Sequence, residues 1–383
     1  MTDHDYFDCL VVGGGLIGML SARELVQAGC RVGLVERGEA GRESTWAGGG
    51  ILSPLYPWRY PDAVNALANW GQHHYAAFAE RLQQESGIDP EYRQSGLLIL
   101  DVDEQAAALH WAQRWQAQMT SIDTTRIADL EPALGEQAGQ ALWMPAVAQL
   151  RNPRLARACY QSIKNQGVTI FEQRAVSGLR HKDGRISGVL TVDGEIGAKQ
   201  VIVAGGAWSA GLLEATGVQL PVRPVRGQMI LYHAAPDQVK RIVLSRDRYV
   251  IPRRDGRVLV GSTLEETGFD KRTTQEALQA LQSEAARLIP ALADCPVEHH
   301  WAGLRPGSPA GIPYIGAHPT IEGLYINSGH FRNGVVLGLA SARLLADRVL
   351  QRHSEFDAGD YVVPTADEHQ ANVGGLAFGS DNP

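Results

Sequence analysis

Only four cysteines occur in 383 residues, at positions 9, 30, 159 and 295, and none has C-x-x-C spacing. Disulfides, thiolate metal sites and cysteine nucleophiles are therefore not expected; two of the four sit in or beside apolar segments and read as buried thiols. The pairs His73-His74 and His299-His300 lack metal-ligand spacing such as H-E-x-x-H, so no metal site is read. Lysine and arginine form no runs and the formal net charge is -7, which leaves no basic field to gather nucleic acid or an anionic membrane. No stretch approaches the roughly 18 apolar residues needed to span a bilayer. The start, Met1-Thr2-Asp3-His4-Asp5, lacks the cationic region of a signal peptide, so the expected location is cytoplasmic. Internal repeats are absent as well. What remains, 44% hydrophobic and 20% charged, suits a globular chain long enough for about two cores.

Glycine, by contrast, is placed with purpose. The apolar run Asp8-Cys9-Leu10-Val11-Val12 enters Gly13-Gly14-Gly15-Leu16-Ile17-Gly18, and Val32-Gly33-Leu34-Val35 ends in Glu36-Arg37. The pattern predicts a buried parallel strand, a G-x-G-x-x-G turn, a helix over 17–27 and a second strand. The helix would present its N-terminal N–H groups to a pyrophosphate, and Glu36 stands where a carboxylate accepts ribose hydroxyls.

Further along, the small-residue segment 44–54 would let backbone lie against a flat ligand. Asp62 is expected to cap a helix with apolar positions Val64, Leu67, Gly71, Tyr75, Phe78 and Leu82, closed by Gly87. A strand over 96–100 and a helix over 104–119 leave the Rossmann pattern and open a second domain. Asn152-Pro153, read as a cap and first-turn proline, starts a helix to Gly167 that returns to the first domain. Hairpin turns are expected at 182–185 and 192–195, and the strand Gln200-Val203 with the turn Ala204-Gly205-Gly206-Ala207-Trp208 belongs beside the first strand. A second excursion carries strands at 227–232, 249–252 and 258–261 in an antiparallel sheet, then a helix from Thr274 to Leu288. The chain returns through 301–307, a strand at 324–327, the turn 329–334 and a helix from 335 to 350. The polar tail from Pro364 is expected to be disordered. The fold class is thus α/β: a Rossmann-type FAD-binding domain (1–88, 147–222 and 303–363) interleaved with an α+β substrate domain built on an antiparallel sheet (89–146 and 223–302), followed by a tail at 364–383.

Three glycine-rich segments, 13–18, 47–50 and 329–334, exceed the needs of a mononucleotide half-site and point to a long ligand. FAD fits. The first βαβ unit would hold ADP, the second segment would lie along the pyrophosphate and ring, and the last helix would aim its positive end at the pyrimidine edge of the flavin.

The Glu36-Arg37 ending, the run Trp301-Ala302-Gly303-Leu304-Arg305-Pro306 and the run Gly329-His330-Phe331-Arg332-Asn333-Gly334 resemble the D-amino acid oxidase superfamily, with its glycine oxidase branch nearest, over about residues 6 to 350. The resemblance implies oxidation of glycine, sarcosine and small D-amino acids to oxo acid, ammonia and hydrogen peroxide. It further implies a homotetramer and supply of imine or glyoxylate to thiamine thiazole synthesis. By motif match, Tyr249 and Arg305 bind the substrate carboxylate, with Arg332 flanking the flavin and Met229 at the pocket's border. A guanidinium fork pairs a carboxylate through two parallel hydrogen bonds, so the substrate Cα–H can face the flavin and no protein base is required.

The cofactor contacts expected on the same basis are Gly13, Gly15, Leu16, Ile17 and Gly18 in the first turn, with Glu36 and Arg37 after the second strand. Ser44, Thr45, Ala47, Gly48, Gly49 and Ile51 follow in the second segment, then Val176, Ala204, Gly205 and Trp208. Arg305, His330, Phe331, Arg332, Asn333, Gly334 and Val335 complete the set. Trp46 and Trp58 are read as packing aromatics, as Trp208 is in part. The second segment carries more glycine than relatives do and no methionine, so its ring-side contacts stay open. No cysteine lies near the Arg305-Pro306 run, where a covalent flavin would attach, so dissociable FAD is expected. Three rival readings remain: a D-amino acid dehydrogenase passing electrons to a quinone, a flavin enzyme trimming a tRNA base, which the absence of a basic field disfavours, and a non-catalytic flavoprotein partner module.

Overall fold

The computed structural model describes residues 6–100, 103–135 and 139–365. Most of the expected tail, from residue 366, lies outside the described residues.

Two eight-stranded sheets organise the chain. The first runs Tyr314–Ala317, Leu324–Ser328, Gly194–Val203, Tyr6–Val12, Val32–Val35, Thr169–Phe171, with the hairpin Val176–Lys182 and Arg185–Thr191 attached to Gly194–Val203. Its inner strands pair in parallel, Val11 with Ile202 and with Leu34, and Val203 with Ile326. The central strands are covered on both faces, which is why Leu10, Val11, Leu34, Val201 and Ile202 form unbroken apolar runs and are fully buried. The strand Gln200–Val203 lies beside the first strand, as its apolar pattern predicted.

Helix Leu16–Gln27 returns the chain over this sheet and packs on helix Gly334–Val349, with Leu16, Met19 and Leu20 meeting Leu337, Ala340 and Leu344 in one core cluster. A buried leucine such as Leu337 contributes about 1.5–3 kcal/mol relative to an exposed one. Helix Asp62–Ser86 crosses close by: a Cβ on Gly71 would lie 2.1 Å from the Val336 carbonyl oxygen, and the Tyr75 hydroxyl donates to the Val335 carbonyl. The first turn of the last helix is thereby fixed in place.

The second sheet runs Val297–Gly307, Arg223–His233, Arg257–Gly261, Arg248–Pro252, Ile242–Ser245, Leu97–Leu100, Gln140–Met144, Thr120–Asp123. It is antiparallel except where Ile242–Ser245 meets Leu97–Leu100. Register places Trp301, Met229, Gly261 and Tyr249 in one row across adjacent strands. Period-two alternation then carries Gly303 and Arg305 onto the face of Trp301. The α/β class and the antiparallel second sheet agree with expectation.

Local differences have local causes. The helix expected over 104–119 spans Gln105–Arg114, because Gln116 takes φ +52° and the chain then joins strand Thr120–Asp123. Asp62 makes no capping bond and instead pairs with Arg114. Asn152 does not cap its helix either: its amide is turned to the carbonyl of Thr45, 2.8 Å away. Helix Thr124–Leu130, capped by Asp123 through the N–H of Arg126, was not expected at all.

Candidate active site

The glycine turn after the first strand is built by steric necessity. Gly13 adopts φ +115°, and a Cβ there would lie 2.4 Å from the carbonyl oxygen of Ala204 on the neighbouring strand's turn. Gly18 presses its own α-carbon against the Gly13 carbonyl, where a Cβ would come within 1.9 Å. Both Glu36 oxygens are held, Oε2 by the N–H of Gly14 at 2.7 Å and Oε1 by that of Gly38 at 2.9 Å. The N–H of Leu16 donates to the Thr45 hydroxyl at 2.8 Å, tying the second glycine segment to the first. No N-cap side chain accepts from helix Leu16–Gln27 or helix Gly334–Val349; apart from the Leu16 N–H held by Thr45, their first-turn N–H groups have no side-chain acceptor among the described residues.

These turns open onto one cavity of about 600 Å³, within the range of small-molecule and cofactor pockets. All but one of the residues expected at the cofactor or substrate line it, including Arg37, Ser44, Ala47, Gly48, Ile51, Val176, Gly205, Phe331, Gly334 and Val335. The exception is Gly18: it shapes the turn from behind and does not reach the cavity, because its free face is taken by Gly13. Asn152, Arg174, Gly227, Ser262 and Asn327 also line the cavity and were not anticipated.

Several buried polar atoms at the wall have no partner among the described residues: Asn152 Oδ1, Asn327 Oδ1, His330 Nε2 and Asn333 Nδ2. Such atoms cost about 1–3 kcal/mol each when unsatisfied, and their convergence on one cavity marks a polar ligand. Burial pushes the His330 imidazole down to about 3, so the ring is neutral and offers hydrogen bonds without charge.

The wall given by the second sheet includes Met229, Tyr249 and Arg305. The Tyr249 hydroxyl lies 3.7 Å from Met229 Sδ. Arg305 Nη2 donates to the Ser262 hydroxyl at 2.7 Å and Nη1 to the Thr263 carbonyl at 3.2 Å. Burial pulls the Arg305 guanidinium below its ordinary value; Tyr249 opposes that and Arg332 adds to it. Among the described residues no carboxylate is in ion-pair range of Arg305 or Arg332. Glu36 and Glu43, the acids at the wall, lie between strand Val32–Val35 and helix Ser44–Ala47, where Glu43 pairs with Arg37.

Arg253 secures the second glycine segment. Its guanidinium donates to the Gly49 carbonyl at 2.8 Å, the Leu150 carbonyl at 2.9 Å and Gln149 Oε1 at 2.7 Å. Burial lowers it to about 10, still charged at neutral pH. Gly49 in turn packs on Tyr249 and Ile251, where a Cβ would meet Ile251 Cδ1 at 2.9 Å. Trp301 Nε1 donates to the Ala47 carbonyl at 3.2 Å, so the second sheet sits directly on the glycine segment.

Uncapped helix N-termini, a glycine turn admitting close backbone approach and orphaned polar atoms along an elongated wall together fit a dinucleotide. The profile of the FAD dependent oxidoreductase family matches residues 8–348. The chain belongs to that family. A glycine oxidase from Pseudomonas aeruginosa is 51% identical over 92% of this chain and 97% of its own length. A bifunctional ThiO/ThiG protein from Synechocystis is 31% identical over 90% of this chain and 52% of its own. The crystal structure of glycine oxidase from Geobacillus kaustophilus superposes with TM-score 0.88 at 28% identity, covering 94% of this chain and 99% of that one. The protein is therefore an FAD-dependent oxidoreductase resembling glycine oxidases over almost its whole length. Among the described residues no helix is long and apolar enough to cross a membrane.

Proposed function

We propose that the protein oxidatively deaminates glycine, and with it sarcosine and small D-amino acids, to an oxo acid, ammonia and hydrogen peroxide. Bound FAD supplies the hydride acceptor and passes the electrons to oxygen. Arg305 carries the reading: a cationic fork in a cavity, bonded to neutral acceptors, with no acid in ion-pair range among the described residues. A substrate carboxylate completes it, with Tyr249 as a further donor. Arg305 and Arg332 both bring positive charge to this end of the cavity, which disfavours an ammonium group and favours the neutral amine whose lone pair expels hydride. Tyr249 packs on Gly49 and lies against Met229, and this crowding suits a short side chain.

FAD is expected to be dissociable, since none of the four cysteines lines the cavity. Glyoxylate or its imine would feed thiamine thiazole synthesis, a role supported by similarity to relatives named ThiO/ThiG. A homotetramer is the expected assembly.

The test is peroxide release by the purified holoenzyme with glycine, and its loss in Arg305→Ala. Removing a buried charge-assisted clamp costs on the order of 2–4 kcal/mol of transition-state binding, so KM should rise and kcat fall while the flavin spectrum persists. Unchanged kinetics in that variant would refute the clamp. Reduction of dyes without oxygen consumption would point to the dehydrogenase alternative.

A further inference from the structure

Residues 262–274 leave the substrate sheet after strand Arg257–Gly261 and rejoin it at helix Gln275–Leu288. The two ends of this segment are tied down. The backbones of Arg226 and Glu265 exchange hydrogen bonds of 2.8 and 3.0 Å, Arg226 Nη1 donates to the Arg272 carbonyl at 2.9 Å, and the N–H of Thr274 donates to Gln228 Oε1 at 2.9 Å. Between these anchors Gly268, at φ +60°, turns the chain outward.

The tip then crosses to the other half of the molecule. Phe269 is 53% exposed, yet its ring stacks on Trp208 with centroids 5.4 Å apart. The same indole carries the Arg37 guanidinium, 3.6 Å from the ring centroid. Lys271 Nζ lies 3.0 Å from both Glu43 oxygens, and Glu43 also accepts from Arg37 Nη2 at 3.1 Å. Arg37, Glu43 and Trp208 all line the cavity beside Glu36, the carboxylate expected at the adenosine ribose. Two side chains of this segment, Phe269 and Lys271, thus reach across to cofactor-side walls.

We propose that residues 262–274 form a clasp across the adenosine end of the FAD cavity, in which Phe269 and Lys271 are positioning residues that set how fast FAD leaves. The inference rests on the adenosine half lying beside Glu36. An apolar ring left half in water is accounted for by the indole it covers, and each contact is of a kind worth a severalfold change in rate. The Lys271–Glu43 pair is exposed and therefore screened by salt, so FAD retention should weaken as ionic strength rises.

The test follows flavin fluorescence after rapid dilution of the holoenzyme. Phe269→Ala and Lys271→Gln should each speed FAD release by about three- to tenfold, and the double variant by more. Phe269→Trp and Lys271→Arg should restore slow release. High salt should accelerate release from the unaltered protein and have little effect on Lys271→Gln, while thermal unfolding of the FAD-free forms stays the same. If the double variant releases FAD at the original rate while Glu36→Ala releases it fast, the clasp is overturned and the adenosine placement stands. Slow release from Glu36→Ala as well would overturn both. A fall in FAD-free stability with unaltered salt dependence would make the segment merely structural and overturn the proposal.

Discussion

A Cβ on Gly227 would lie 2.1 Å from Nη1 of Arg305, so the guanidinium occupies space that exists only because the neighbouring strand has no side chain there. The long arginine side chain would yield before the backbone does. In Gly227→Ala the protein should still fold and bind FAD. The displaced fork should lose at least one charge-assisted hydrogen bond, raising KM for glycine at least about tenfold. Steady-state kinetics alongside the flavin spectrum check this; an unchanged KM would show that the fork does not bear on substrate.

Arg253→Met leaves the carbonyls of Gly49 and Leu150 without the donor they now have. The expected loss is about 2–4 kcal/mol in urea unfolding, with Arg253→Lys between the two. Because Gly49 packs on Tyr249, the visible flavin spectrum should shift in the methionine variant even where it remains folded. A variant as stable as the parent would contradict the proposed support.

Gly13→Val should purify without yellow colour. The substituted residue would need φ near +115° and a Cβ 2.4 Å from Ala204 oxygen, both at the turn expected to hold the pyrophosphate. Circular dichroism distinguishes loss of FAD from loss of fold. A yellow variant would displace the pyrophosphate from this turn.

His318 sets a pH dependence of stability away from the cavity. Its Nδ1 accepts from the N–H groups of Thr320 and Ile321 at 3.2 and 3.0 Å, and Nε2 faces the Thr216 hydroxyl at 2.9 Å. That arrangement requires the neutral ring, and burial first, with His181 second, lowers it to about 4. The unfolded chain protonates near pH 6.5, so between about 6.5 and 4 the unfolded state holds more protons than the folded one. Stability should therefore be fully present above about pH 6.5 and fall toward pH 4, by up to about 1.4 kcal/mol per pH unit from this group. His318→Gln should flatten that slope in pH-resolved urea unfolding; an identical slope would remove the assignment.

The parts of the site set by backbone demands were legible from residue spacing. Gly13 falls where the turn needs a positive φ, Gly49 falls where a Cβ would press on Ile251, and Arg305 and Arg332 fall within runs whose likeness to a family is specific. What could not be read was contact between distant segments. Arg253 follows Val250-Ile251-Pro252 as an ordinary strand-end arginine, and its partners Gly49 and Leu150 are about a hundred or more residues away. Asn152 and Asp62 look like helix caps by position, yet Thr45 and Arg114 outcompete the helix ends for their side chains. Gly18 has the motif's spacing but acts by packing on Gly13. Ser262 gave one usable signal, a hydrogen-bonding group at the end of the apolar run Val258-Leu259-Val260-Gly261.

The row formed by Trp301, Met229, Gly261 and Tyr249 is a set of rungs on one hydrogen-bonded ladder, with Arg305 four residues farther along an outer rail. With the substrate held as proposed, its recognition is mounted on a stiff frame separate from the glycine turns proposed for the dinucleotide. Altered substrate preference can then arise by exchanging side chains on that frame, leaving the machinery of electron transfer as it was.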